Sequence, residues 1–368
     1  MGAVVLVEPN HLGHRYQYVK HLVRIVGEPI LLTAVGGTAT EEFAAYLGDE
    51  SVETHEPYTS AFPSAREVAE SIAAFAQDRA VDTIVVMDAD RAVKRWWLDA
   101  PRAFKSLSKR PRVIFLFTRY PARLSWRDRL GWAHRVSKAG LALLAMATGS
   151  LRRVANLAGR DDDNPGWIVK RARDPAICSA HARDRDRLRG ELELDPGLVL
   201  VGILGAISDR KNVPMAAEAV RRLGDDTRLL LAGGLTPFVR DWLAGQPAEM
   251  REVLIVRDEY LSNEKLDSYV AACDVVCIAQ DNNGPSGIMG KTLAAGVPVL
   301  TAGSRVRERE LAAAGAGTGR CTELTVEGIA AGLRTLARDR QTFRPAGRAL
   351  LATPEAFARA VLGVGARR

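Results

Sequence analysis

The run 202-GILGAISDRKNVPMAAEAV-220 and the later run 281-DNNGPSGIMGKTLAAGVPVL-300 decide the architecture. Each joins a short apolar segment to a glycine-bearing turn and then to an amphipathic helix. Around them the same alternation continues: "LVLVGIL", "RLLLAGG", "VLIV", "DVVCIAQ" and "VPVLTA" read as strands, with "VPMAAEAVRRL", "NEKLDSYVAAC" and "SGIMGKTLAAG" as helices between them. Pro214 near a first turn and Ser262/Asn263 ahead of Lys265 mark helix starts. Strands alternating with helices build a doubly wound parallel sheet, and such a sheet binds ligands at the carboxyl ends of its strands.

Both turns carry chemistry suited to a diphosphate. After the first strand the loop delivers Arg210 and Lys211, a fork of donors and a mobile point charge, just before a helix. Gly284, Pro285, Ser286 and Gly287 open a second helix, whose first N–H groups have no partner within the helix and carry the positive end of its dipole. Taken alone, an Arg-Lys pair reads as a solvated helix start and "GPSG" as an ordinary turn. In this order, about eighty residues apart within one Rossmann-like unit, they point to one site.

At these residues the chain resembles the GT-B glycosyltransferases of family 4, over residues 198–336 by sequence and over the first half by architecture. "CDVVCIAQ" and "KTLAAGVPVL" stand where that family has its late apolar strand and its "EAmAxGxPVv" element. The resemblance implies an α/β, GT-B fold: two facing Rossmann-like domains with doubly wound parallel sheets. It implies transfer of a sugar from a nucleotide-diphosphate sugar to an acceptor hydroxyl, with retention of configuration. Lys211 matches the family's lysine directly; the family's arginine aligns with Ala206, and Arg210 is near enough to substitute for it.

The family's Glu-x7-Glu element is altered. Its two glutamates contact the sugar and ribose, and Asn283 and Lys291 occupy their positions. Asn283 can exchange hydrogen bonds with a sugar hydroxyl, whereas a lysine cannot accept one. Three explanations stay open: a variant donor pocket, a donor with an extra negative charge, or a catalytically inactive GT-B protein that binds a nucleotide sugar or a partner enzyme. A non-hydrolysing epimerase would share the fold, but its expected cluster of acids and histidines is not evident.

The first half reads the same way, with "AVVLVE", "TIVVMD" and "RVIFLF" as buried strands. The expected domains are 1–185, completed by a helix at about 352–368 that returns as in the family, and 192–350; a linker lies between about 174 and 196. Gly13 and His14 follow the first strand, where the family has a glycine turn. Gly13 would approach the diphosphate, and His14 would donate to phosphate or acceptor; a surface histidine at a helix start is the plain alternative. At a later strand end, where the family often has a histidine, Asp88 and Asp90 stand ready to orient or deprotonate an acceptor, or else to cap a helix. The expected catalytic set is therefore His14, Asp88 and Asp90. Gly13, Arg210, Lys211, Pro285, Ser286 and Gly287 are expected on the diphosphate, and Asn283 and Lys291 on sugar or ribose.

Composition limits the alternatives. The 368 residues, 47% hydrophobic and 26% charged, describe globular material rather than a disordered chain. The apolar run Ala3–Val7 lacks a preceding basic region, so no signal peptide is expected, and "AGLALLAMATG" is too short to span a bilayer. A cytoplasmic protein is expected. The four cysteines lack metal-ligand spacing, and "DAD" falls in the half opposite the phosphate loop. No metal or other cofactor is expected beyond the nucleotide-sugar co-substrate. The net charge of +7 is concentrated: residues 91–138 hold fourteen Lys/Arg against two acids and four of the six tryptophans. That block is read either as arginine-rich surface with tryptophans packed beneath it, or as docking onto an anionic membrane with a lipid-linked acceptor. No nucleic-acid motif accompanies it. Small-molecule, glycan and lipid-linked acceptors all stay open.

Overall fold

The computed structural model describes residues 3–11, 15–121, 128–161, 166–280, 282, 286–315, 317–338 and 352–364. The chain divides into two compact units. Unit 1 takes Met1–Ala158, Asp162–Arg173 and Thr353–Arg368; unit 2 takes Gly159–Asp161 and Asp174–Ala352.

In unit 1 the strands are β1 (Ala3–Val7), β2 (Ile30–Ala34), β3 (Glu53–Tyr58), β4 (Val81–Val86), β5 (Arg112–Phe117), β6 (Arg153–Ala158) and β7 (Val169–Arg173). They form one parallel sheet in the order β3-β2-β1-β4-β5-β6-β7. Helices α1 (Arg15–Val26), α2 (Glu41–Leu47), α3 (Ala65–Asp78), α4 (Val93–Ala103) and α5 (Arg129–Ala147) connect them in turn. Alternation along each strand sends side chains to both faces. Val5 and Val7 join Ile84, Trp96 and Phe115 in one buried cluster. Leu6 joins Leu31, Val85 and Ile114 in another, sealed by Phe357 and Val361 of α14 (Pro354–Leu362). Arg112 and Arg153 donate to the Leu362 and Ala360 carbonyls at 2.9 and 2.8 Å, satisfying the open end of that helix.

Unit 2 repeats the plan. Strands β8 (Val199–Leu204), β9 (Thr227–Ala232), β10 (Leu254–Arg257), β11 (Val275–Ala279), β12 (Val299–Ala302) and β13 (Gly319–Thr322) lie parallel in the order β10-β9-β8-β11-β12-β13. Around them are α6 (Arg185–Glu191), α7 (Val213–Arg221), α8 (Pro237–Ala244), α9 (Ala248–Glu252), α10 (Asn263–Ala272), α11 (Gly287–Ala295), α12 (Arg305–Ala314) and α13 (Val326–Arg338).

The strand orders fix where each unit can bind. In unit 1 the winding reverses between β1 and β4, and in unit 2 between β8 and β11. Loops diverge at such a point and leave a crevice beyond the strand ends. In unit 2 the two loops concerned are the Arg-Lys loop and the glycine turn.

Candidate active site

In unit 2 the two motifs meet at Gly205, which ends β8 with φ +81°. A methyl group there would stand 3.6 Å from Ile288 at the start of α11 and 3.9 Å from the Lys211 ammonium. The backbone also runs close to β9: a Cβ at Gly233 would lie 2.2 Å from the Gly205 carbonyl oxygen. The loop then closes through a short 3-10 turn, Asp209–Lys211, and Asn212 in a left-handed conformation with φ +47°. Asn212 Nδ2 donates to the Ala279 carbonyl at 2.9 Å, tying the loop to the end of β11.

Lys211 is thus fixed at the reversal point, its Nζ donating to the Leu204 carbonyl at 2.5 Å. Burial, with a smaller contribution from the neighbouring Arg210 charge, lowers its pKa to about 7. An arriving anion would restore the charge. Arg210 is exposed, and no carboxylate is paired with it among the described residues. Ser286 caps α11, its hydroxyl accepting from Met289 N at 3.3 Å. This leaves the Gly287 and Ile288 amides at the helix start without partners inside the helix. Asn283, Gly284 and Pro285 lie outside the described residues.

Two buried arginines that the sequence does not single out hold Gln280, Asn282 and Ser286. Arg307 on α12 donates to the carbonyls of Gln280 and Asn282 and to Thr301 Oγ1. Arg160 reaches Ser286 O at 3.1 Å, Glu310 at 3.2 Å and Asp174 at 2.5 Å. Its guanidinium lies against α11 where only a glycine leaves room, since a Cβ on Gly290 would stand 2.2 Å from its Nη2. The signal available in the sequence was weak: a lone arginine in "AGRD" and another in a charged helix, both of which read as solvent-facing.

Lys291 sits on α11 as expected, but its ammonium is buried against Asp267 at 2.6 Å. Asp267 also accepts from the Ser179 amide and hydroxyl at 2.8 and 3.0 Å. The lysine charge is neutralised within unit 2.

Unit 1 gathers a second set of charges at its own reversal point. Asp88, just past β4, takes φ +45°, outside the usual range for a residue with a side chain. Its carboxylate receives Arg15 at 2.6 Å and the Thr118 hydroxyl at 2.5 Å. Arg15 lies 3.8 Å from Glu8, which is 2% exposed at the end of β1 and accepts from the Asn10 amide. Burial raises the Glu8 pKa to about 8 against the opposing pull of Arg15. Glu8 and Asp88 line a cleft open to solvent with Asn10, Phe62, Pro63 and Arg91.

Asp90 is placed differently. One of its oxygens accepts from the Thr118 and Arg119 amides at 2.8 and 3.1 Å, and the other takes the Lys138 ammonium. It caps the end of β5. Gly13 and His14 lie outside the described residues. Among the described residues no group of three or more His, Cys, Asp or Glu is placed to hold a metal ion.

No family model matches the chain, and no curated protein does. Solved structures do. HepE of Anabaena, crystallised with UDP, is 14% identical over 98% of this chain and 94% of its own, with a TM-score of 0.60. Sucrose-phosphate synthase of Thermosynechococcus elongatus is 13% identical over 97% and 96%, with a TM-score of 0.65. WaaG, a glycosyltransferase of lipopolysaccharide biosynthesis, is 14% identical over 98% and 100%, with a TM-score of 0.62. Together with two parallel sheets that each reverse their winding, these likenesses show a GT-B fold, as the sequence implied.

Proposed function

We propose that this chain is a glycosyltransferase moving a sugar from a nucleoside-diphosphate sugar to an acceptor hydroxyl, with retention and without a metal. The observation that carries the reading is the meeting of Lys211 and the start of α11 at Gly205. As the bond from the sugar carbon to the diphosphate breaks, negative charge grows on the leaving group. Lys211, Arg210 and the free amides at Gly287 and Ile288 are the groups to stabilise it, and preorganised donors of this kind act without reorganisation. HepE binds UDP and UDP-glucose, which makes uridine donors the first to try. Retention rests on the family 4 resemblance.

Unit 1 would supply the acceptor side, with Asp88 at its cleft to orient or deprotonate the hydroxyl. Asp90 would act one step back, holding the end of β5 and Thr118 in place.

One observation favours a second reading, an inactive nucleotide-sugar-binding protein. Lys291 is held by Asp267 and offers no carboxylate to a ribose. The deciding experiment is calorimetry with nucleoside diphosphates and their sugars on the wild type and Lys211→Ala, followed by a turnover assay. Binding lost in Lys211→Ala, together with turnover, supports the transferase. Binding without turnover favours the second reading, and no binding by the wild type rejects both.

A further inference from the structure

Helix α5 of unit 1 carries apolar residues on both faces, more than a helix that only covers a sheet requires. Such helices turn apolar residues inward and charges outward. In α5 the inward cations are spent on internal partners. Arg135 lies over the Tyr120 ring at 4.8 Å and donates to the Pro121 carbonyl at 2.5 Å. Lys138 binds Asp90 and the Arg119 carbonyl. Ala142 and Ala145 are buried in the unit 1 core with Ala139, Leu141 and Met146 packed against it, yet further apolar residues face out: Leu130 is 76% exposed, Val136 65%, Leu143 47% and Leu144 51%. At 100° per residue these four fall within one half of the helix, together with Ala133, Gly140 and Ala147 and with the polar Arg129 and Ser137. Four large aliphatic side chains exposed along one face of a helix are more than a surface facing only water needs, and mark a contact surface.

The charge around the patch selects its occupant. Arg129 is exposed at the start of α5, and Arg110 reaches the Thr148 carbonyl at its far end at 3.4 Å. On α4, packed beside α5, Lys94, Arg102 and Trp97 are exposed. The two acids of residues 91–138 are used locally: Asp128 caps α5 by accepting from Gly131 N, and Asp99 is buried beside Arg95. The surface around the apolar stripe is therefore cationic with its acids withdrawn. It fits a partner that is apolar beneath a uniformly anionic layer.

We propose that α5 docks this protein on an anionic lipid bilayer. The helix lies in the headgroup plane, its Leu130, Val136, Leu143 and Leu144 side chains enter the acyl boundary, and the cations of α4, Arg110 and Arg129 meet lipid phosphates. The exposed indole of Trp97 suits the same depth. No helix among the described residues is long and apolar enough to cross a membrane, so the contact is peripheral. This surface belongs to unit 1 alone and does not depend on the transferase reading.

The test is flotation of the whole chain with vesicles of phosphatidylcholine alone and of phosphatidylcholine with phosphatidylglycerol, without any nucleotide. The wild type is expected to float only with the anionic vesicles and to be released by salt. Val136→Ser/Leu143→Ser and Lys94→Glu/Arg102→Glu, all on exposed positions, are each expected to lower partitioning at least about tenfold. Circular dichroism and calorimetry with a nucleoside diphosphate report whether these variants keep their fold. Wild type that ignores anionic vesicles, or double variants that bind as it does, would overturn the proposal. So would a concentration-dependent dimer abolished by Val136→Ser/Leu143→Ser in place of vesicle binding, since a second copy would then cover the face.

Discussion

The Lys291 ammonium donates to the Asp267 carboxylate at 2.6 Å, with both side chains buried. A pair of this kind ties α11 to α10 and, through Asp267, to Ser179. Removing one partner leaves an uncompensated buried charge, at a cost of about 3 kcal/mol or more. Lys291→Met should therefore lower stability by about that amount in urea unfolding, with Lys291→Met/Asp267→Asn recovering part of it. Nucleoside-diphosphate affinity should barely move. A stable Lys291→Met protein whose nucleotide affinity fell tenfold or more would instead place this lysine on the ligand.

Lys211 should make nucleotide binding depend on pH. Its pKa near 7 in the free protein means that the ammonium is lost as pH rises through neutrality, whereas a bound diphosphate holds the proton. Affinity is then highest below pH 7 and falls above it, by up to about tenfold per pH unit. Calorimetry in buffers of differing ionisation enthalpy should register proton uptake on binding at alkaline pH. Lys211→Met should lose both the uptake and most of the affinity; retention of either removes Lys211 from the phosphate site.

Glu8 predicts a stability trend of the opposite kind from an ordinary paired carboxylate. Its folded pKa of about 8 lies above the ordinary glutamate value of 4.5, so the folded state holds the extra proton. The resulting stabilisation is complete below about pH 4.5 and is lost as pH rises through about 8. Glu8→Gln keeps the neutral shape and should flatten this part of the curve. Urea midpoints at about pH 5 and about pH 9 are the measurement, and an unchanged slope in Glu8→Gln would exclude the assignment.

Gly290→Ala should be costly although alanine favours helices. The added Cβ would stand 2.2 Å from the Arg160 guanidinium, and overpacking of this degree costs about 1–3 kcal/mol. Displacing Arg160 also releases the Ser286 carbonyl, so nucleotide affinity should fall with the melting temperature. An alanine variant as stable and as tight-binding as wild type would show that the arginine yields without consequence.

The sequence revealed the centre of each sheet better than its margins. β1, β4, β5, β8, β9, β11 and β12 are short continuous apolar runs because both faces of a parallel strand are covered. At three of the four edges, β3 reads ETHEPY, β7 VKRAR and β13 GRCT, and half-solvated strands of this kind carry no such signature, whereas the fourth edge, β10, keeps the apolar run LIV. Interior β2 and β6 are not legible as strands in the sequence, and β4 ends at Val86, two residues before the end of "TIVVMD", because Asp88 turns into a left-handed conformation that its identity does not announce.

The candidate site was legible to the same depth. Strand order brings the "DRKN" loop and the α11 start together, and the alternation of strands and helices contained that order. The buried arginines did not show, because Arg160 and Arg307 look like any charged residue until distant carbonyls and carboxylates surround them. The partner of Lys291 was hidden for the same reason: Asp267 is twenty-four residues earlier, on another helix. For α5, the composition marked a basic, tryptophan-rich block, but only the exposure of each side chain shows that a second apolar face points outward.

The position of α14 constrains the order in which this chain can assemble during synthesis. Phe357 and Val361 are needed to close one face of the unit 1 core, yet they follow the whole of Asp174–Ala352. Unit 2 therefore leaves the ribosome before the last piece of unit 1 exists. Until then, the face beside Leu6, Leu31 and Ile114 stays unsealed, a transient apolar surface of the kind that recruits chaperones or aggregates.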